Sequence, residues 1–278
     1  MWELLLKSRK AMIGLAVLIV FILLGTVAPL FLGNPYDMNL SLMGQPPSPD
    51  HILGTTSFGQ DVFTQLCNAI GNSFLVGLVA GSLGTLIAVF VGAVGPYRGG
   101  LADQSTNLVT NLALVLPLIP LFIIIASVVR GLNLILIGVI LAVTSWPWAA
   151  RSIRSQMLTL KEREFVNLAR MSGDGTVRIV IVEILPNMMA YIMMVFVILT
   201  GTSILAESAL SMIGVSTTPT ITLGYMLYWA QHQTIVPFWW NIWWWFIPPG
   251  IALTIILTAI FIVHAGLDEV FNPKLRRI

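Results

Sequence analysis

The chain has 278 residues, of which 57% are hydrophobic and 9% charged, against about 45–50% apolar and about 25% charged in an ordinary soluble domain. A mean hydropathy of +0.90 exceeds what one water-soluble core can bury, so the composition is that of a membrane protein. Fourteen Lys and Arg against twelve Asp and Glu give a net charge of only +2, which sets a nucleic-acid-binding face aside. A single cysteine, Cys67, excludes an intramolecular disulfide and a paired-Cys metal or redox site.

Apolar runs of the ~20 residues that cross a bilayer lie at Ala11 to Leu32, Asn72 to Tyr97, Leu108 to Val129, Gly131 to Ala150, Ile184 to Ala206 and Phe246 to Val263. The fold class is therefore an all-α membrane protein with six transmembrane helices. None of the six runs contains Asp, Glu, Lys or Arg, in keeping with the cost of a charge at mid-membrane. Lys7, Arg9 and Lys10 precede the first run as in a secretory signal, but the run is longer than a signal core of about 7–15 residues and no small-x-small site follows it. It reads as a retained span.

Counted from a cytoplasmic N-terminus, thirteen of the fourteen basic residues fall on inner segments and only Arg130 falls outside. The positive-inside rule then places both termini in the cytoplasm. Asp37, Asp50, Asp61 and Glu207 make the outer segments mildly acidic, and Glu207 reads as a carboxylate at the membrane edge.

The outer connections Gly33 to Gly71 and Glu207 to Trp245 are long, and long loops in compact proteins are commonly functional. The second holds six of the nine tryptophans: Trp229, Trp239, Trp240, Trp243, Trp244 and Trp245. They read as an aromatic belt at the head of the last span, or as a stacking platform for a ring-bearing cargo such as a sugar. In the second span, Gly77, Gly81, Gly84, Ala88, Gly92 and Gly95 repeat every three or four residues. That stripe permits close helix packing or lines a path.

The residue patterns of an enzyme are absent. His51, His232 and His264 are isolated in sequence, so no metal site is expected. No Gly-x-Ser-x-Gly nucleophile elbow and no Gly-Lys-Ser/Thr phosphate loop occurs. The expectation is no catalytic residue, no cofactor and no nucleotide site. The lack of intramembrane carboxylates in the six runs weighs against a self-contained ion-coupled carrier, so energy is expected to arrive through another subunit.

Between the fourth and fifth spans, Arg151 to Arg178 leads into Ile184-Leu-Pro-Asn187. Phe165, Leu168, Ala169 and Ser172 share a helical face and Gly173-Asp174-Gly175 interrupts it, predicting a short amphipathic helix, a glycine turn and a second basic helix. A helix lying on the lipid surface is the simplest account of this pattern.

The residues Glu164-Phe-Val-x-x-Ala169-Arg-x-x-Gly173, with Arg178 and Ile184-Leu-Pro-Asn187, resemble the EAA loop of binding-protein-dependent ABC importer permeases of the dipeptide and oligopeptide branch. Pro47-Ser-Pro-Asp-His-Ile-Leu-Gly-Thr55 with Gly59-Gln-Asp61 looks like that branch's outer-loop signature, and Ile204 to Gly214 is similar to its fifth-span exit. Arg9-Lys-Ala-Met-Ile-Gly14 fits the second, C-type permease of the pair. Asn167-Leu168-Ala169 stands where the family usually has Glu-Ala-Ala, and Gln60 where a basic residue is common.

The resemblance implies a type I ABC importer permease fold with an N-terminal span and outer loop over residues 1–71 and a permease domain over 72–278 with a coupling loop at 151–180. It implies a second homologous permease, two cytoplasmic ATPase subunits and an outer solute-binding protein as partners, in the cell membrane. ATPase coupling falls to Glu164, Phe165, Val166, Ala169, Arg170, Gly173, Asp174 and Arg178, and an outer gate to Glu207. Phe165 and Ala169 are expected in the ATPase groove, with Arg170 and Arg178 pairing with acids at its rim. Dipeptides and oligopeptides are the implied cargo, with oligosaccharides and then nickel as alternatives. An autonomous channel or secondary carrier is the rival class.

Overall fold

The computed structural model describes residues 8–129, 132–215, 220–232 and 242–271. Arg130, Gly131, Trp239, Trp240 and the basic residues Lys7, Lys274, Arg276 and Arg277 lie outside them.

The described chain is helical: α1 Arg9–Thr26, α2 Val62–Arg98, α3 Gly100–Val115, α4 Leu118–Val128, α5 Leu134–Lys161, α6 Glu164–Met171, α7 Leu185–Met212, α8 Leu223–His232 and α9 Trp243–Phe271. Three helix starts, those of α1, α2 and α5, follow side-chain caps. Ser8 accepts from Ala11 N, Asp61 from Thr64 N and Asn133 from Leu136 N, each satisfying an amide the helix leaves open. Among the described residues, five helices are long and apolar enough to span a membrane, or six spans when the bent pair α3–α4 counts as one.

That pair corrects the expected straight span from Leu108 to Val129. The chain breaks at Leu116-Pro117 and turns by 89°. Leu116 is extended (φ −72°, ψ 124°) because a proline ring at the next position disfavours the helical region. Other helices outrun their apolar cores. α2 begins at Val62, so the expected division after residue 71 falls inside an unbroken helix.

α2 is central, and its glycine stripe is filled by neighbouring helices rather than facing open space. A Cβ on Gly77 would lie 2.5 Å from Ile204 Cγ1 of α7, and one on Gly92 2.6 Å from Ala150 O of α5. This is the small-residue packing that brings membrane helices close. α1 lies at the edge, where Gly14 meets Ala259 and Val263 of α9.

The segment 33–61, expected on the outer side, folds back on the bundle. Gly54 and Gly59 take positive φ (69° and 73°) at its turns. Trp244 Nε1 donates to Thr55 O (3.1 Å), and Phe58 packs edge-on against Trp229 and Trp245. Trp244 and Trp245 are buried and Trp229 packs against the same core cluster. These three form neither a lipid-facing belt nor an open stacking platform, because the folded outer segment covers them; Trp243 remains exposed.

Candidate functional site

Two places bring the sequence candidates together. On the basic side, Arg163 leads into α6, a helix of eight residues from Glu164 to Met171. Its end is closed by Gly173 (φ +83°), with Gly173 N donating to Arg170 O (3.1 Å) and Asp174 N to Ala169 O (3.2 Å). This pair of bonds is a Schellman cap, which needs a residue tolerant of positive φ at the glycine position.

Thr176–Arg178 then opens a turn that runs without interruption through π-helical Ile179–Ile184 into α7. The second basic helix is therefore not a separate element but the basic end of the long helix that runs to Met212. Pro186 accounts for the widened turn: its ring would clash with Val182 O in a regular helix, and Leu185 N bonds instead to Val180 O.

The orientation of α6 revises the expected roles. Val166 is fully buried (0% exposed) in a cluster with Tyr97, Met157, Ile179 and Ile184, and Phe165 and Ala169 pack half-buried against it. These three residues attach α6 to its own chain, so they are not a free face for a partner's groove. The apolar residues that point outward are Leu168 (63% exposed) and Met171 (85% exposed), with Glu164 and Asn167 also exposed.

Arg170 lies over the Tyr97 ring (5.5 Å to its centroid) and donates to Asn167 Oδ1, and Arg178 pairs with Asp174 at 3.3 Å. Nearby, Arg154 makes a two-pronged bond to Asp103 (both 2.9 Å), tying α3 to α5, and Lys161 Nζ donates to Pro96 O. Sequence spacing did not reveal this Arg154–Asp103 pair, since 51 residues separate its members.

At the other end, Glu207 is not an edge carboxylate. α7 continues past Ala206 to Met212, and the segment at 221–223 closes over it, leaving Glu207 1% exposed. Its Oε1 accepts from Ser211 Oγ (2.7 Å) and Thr222 Oγ1 (2.7 Å), and its Oε2 is buried without a hydrogen-bond partner among the described residues. Thr222 Oγ1 also accepts from Tyr225 N (3.1 Å), Ser73 Oγ accepts from Leu223 N (3.0 Å), and Asn72 Nδ2 donates to Ile221 O (2.8 Å).

α8, too short to span, is thus latched to α2 and α7 through its first turn. Burial holds the Tyr225 phenol on α8 above its usual range. A buried carboxylate within an apolar helix is expensive and marks a functional position.

His51 is also less isolated than its spacing suggests, because the folded outer segment sets its Nδ1 2.9 Å from Asp61 Oδ2. Asp61 Oδ1 meanwhile caps α2.

Comparison with known proteins agrees with this architecture. Residues 84–277 match the family described as binding-protein-dependent transport system inner membrane component, and residues 1–47 match the N-terminal TM domain of oligopeptide transport permease C. The dipeptide transport system permease protein DppC of Bacillus subtilis (strain 168) is 32% identical over 99% of this chain and 85% of its own length. The oligopeptide transport system permease protein OppC of Mycobacterium tuberculosis (strain ATCC 25618 / H37Rv) is 30% identical over 98% of this chain and 93% of its own. A putative peptide transport system permease protein of Brucella suis biovar 1 (strain 1330) is 30% identical over 98% and 90%. With its bent third span, its helix–turn on the basic side and a match running through most of its length, the chain belongs to the binding-protein-dependent transport system inner membrane component family, the permeases of ABC importers.

Proposed function

We propose that this chain is the C-type permease of an importer of dipeptides and oligopeptides, forming half of the path with a second, homologous permease. The cargo assignment is supported by the names of its relatives. The observation that carries the energy coupling is α6: an exposed Leu168–Met171 face on a helix riveted to the core through Val166, in a chain without a phosphate loop. Two cytoplasmic ATPases would bear on that face and on the segment through Arg178. A solute-binding protein would deliver cargo at the outer side, where residues 33–61 and α8 lie. Both termini are assigned to the cytoplasm, on the basic side.

Within this reading the N-terminal span and outer loop form one functional part, and the remaining helices with the 151–180 loop the other. Glu207 acts at the outer gate by holding α8 through Thr222. Of the six tryptophans behind the sugar alternative, Trp229, Trp244 and Trp245 are committed to the core.

The test is reconstitution in liposomes with the second permease, both ATPases and the binding protein. ATP-dependent uptake of labelled di- and tripeptides is expected. Uptake of oligosaccharide but not peptide overturns the cargo, and transport by this chain alone, without ATP, overturns the class.

A further inference from the structure

The elbow between α3 and α4 leaves a cavity of about 250 Å³, walled by Leu116 and Leu118 of the bend, Thr144 and Ser145 of α5, and Thr202 and Ser203 of α7 among others. No wall residue is charged. Extended backbone at membrane depth is tolerated only where it is buried in protein or lines a cavity, and Leu116 is extended at this cavity's rim.

Three of the hydroxyls already donate to carbonyls one turn back: Thr144 to Ile140 O (2.9 Å), Ser145 to Leu141 O (2.6 Å) and Thr202 to Ile198 O (2.9 Å). Their oxygens retain acceptor capacity. Ser203 differs, for its Oγ is buried, 2% exposed as a residue, and has no hydrogen-bond partner among the described residues. A buried, unsatisfied hydroxyl on a cavity wall calls for a missing partner.

We propose that this cavity is a subsite that holds the backbone of a peptide in transit, a proposal that rests on the peptide reading above. Ser203 donates to a peptide carbonyl, and the oxygens of Thr144, Ser145 and Thr202 accept from peptide N–H groups. Every peptide offers those groups whatever its side chains, and the uncharged walls neither trap nor repel a charged residue. At about 250 Å³ the cavity lies just under the ~300–1,000 Å³ range of small-molecule sites, and a second permease facing it would enlarge it. The subsite therefore gives the path affinity for peptide backbone without preference for sequence.

The experiment uses the complete transporter in liposomes. A photo-crosslinking benzoylphenylalanine replaces Leu118 on the cavity wall or, as control, the exposed Leu86 on α2. During ATP turnover a radiolabelled tripeptide is expected to crosslink at position 118 and not at 86. Crosslinking at 118 only to lipid or only to the second permease overturns the subsite. In parallel, Ser203→Val should lower uptake of Ala-, Lys- and Asp-containing tripeptides alike, by roughly three- to tenfold, the worth of one hydrogen bond. Ser203→Thr, which keeps the hydroxyl, should retain uptake. A loss confined to one tripeptide, or none, overturns the backbone assignment. The unmodified transporter separates the two claims: if it moves no peptide the peptide reading falls and the subsite with it, whereas uptake without the crosslink rejects the subsite alone.

Discussion

The two faces of α6 make opposite demands on substitution. Leu168 and Met171, three residues apart and exposed, contribute little to the isolated permease, where a surface change is worth within about ±0.5 kcal/mol. Buried against an ATPase subunit, each becomes an apolar anchor whose truncation costs about 2 kcal/mol or more, roughly a thirtyfold loss of affinity. Leu168→Ser and Met171→Ser should therefore leave the permease's thermal unfolding unchanged while weakening ATPase binding by that factor and uncoupling hydrolysis from uptake. Val166→Ala deletes two methyl groups from a fully buried site, a loss of about 1.5–2 kcal/mol, so its signature is a lowered melting temperature of the permease itself. Titrating detergent-purified permease with the ATPase, beside a thermal unfolding curve for each variant, separates the two. Release of the ATPase by Val166→Ala at unchanged melting temperature, with tight binding kept by both serine variants, would refute the assigned orientation.

Three further outcomes follow from the geometry. Gly84→Ala places its Cβ 3.5 Å from Leu199 Cδ1, ordinary contact, and should be neutral, whereas Gly92→Ala meets Ala150 O at 2.6 Å and should destabilise by about 1–3 kcal/mol in a detergent unfolding assay; equal effects reject the tight α2–α5 crossing. Glu207→Gln keeps one acceptor for Ser211 and Thr222 and should reduce uptake less than Thr222→Val, which also removes the acceptor for Tyr225 N; wild-type uptake and binding-protein-stimulated hydrolysis in both variants would end the gate assignment. Single cysteines at Ser48 and Thr176 in a Cys67→Ser background should be labelled from outside and only from inside, respectively, and the reverse pattern inverts the topology.

Spans, the central glycine helix and the helix–glycine–helix pattern on the basic side were legible because each depends on local spacing: hydropathy over ~20 residues, small residues every three or four, and a glycine after an amphipathic turn. What was not legible depends on contacts distant in sequence. Glu207 looked solvated because nothing within α7 shows that Thr222, fifteen residues on, closes over it. Trp229, Trp244 and Trp245 have the spacing of a belt, and Phe58 and Thr55, which pack against them, lie far upstream. Phe165 and Ala169 were read as outward-facing because helical spacing defines a face but not its direction; the direction is set by Tyr97, Met157 and Ile179. The bend at Leu116 does have a local signal in Pro117 and Pro120, but they sit inside an apolar run of the right length for one span.

One rod carries all three candidate sites. From Thr176 to Met212 the helix continues for 37 residues, about 55 Å at ~1.5 Å per residue. Its basic end packs through Ile179 and Ile184 against Val166 of α6, its middle puts Thr202 and Ser203 on the elbow cavity, and its far end holds Glu207 against Thr222. Helix interiors are close-packed and transmit strain rather than absorb it. A displacement of α6 in the proposed reading therefore reaches cavity and latch through the same backbone, without a relay of separate loops. The widened turn at Ile179–Ile184 is where that rod is least regular, and π-turns of this kind recur at functional positions. Ile179 and Ile184, which meet Val166 of α6, are the two ends of this turn, so in the proposed reading its stiffness sets how much of a displacement of α6 enters the helix that carries Ser203 and Glu207.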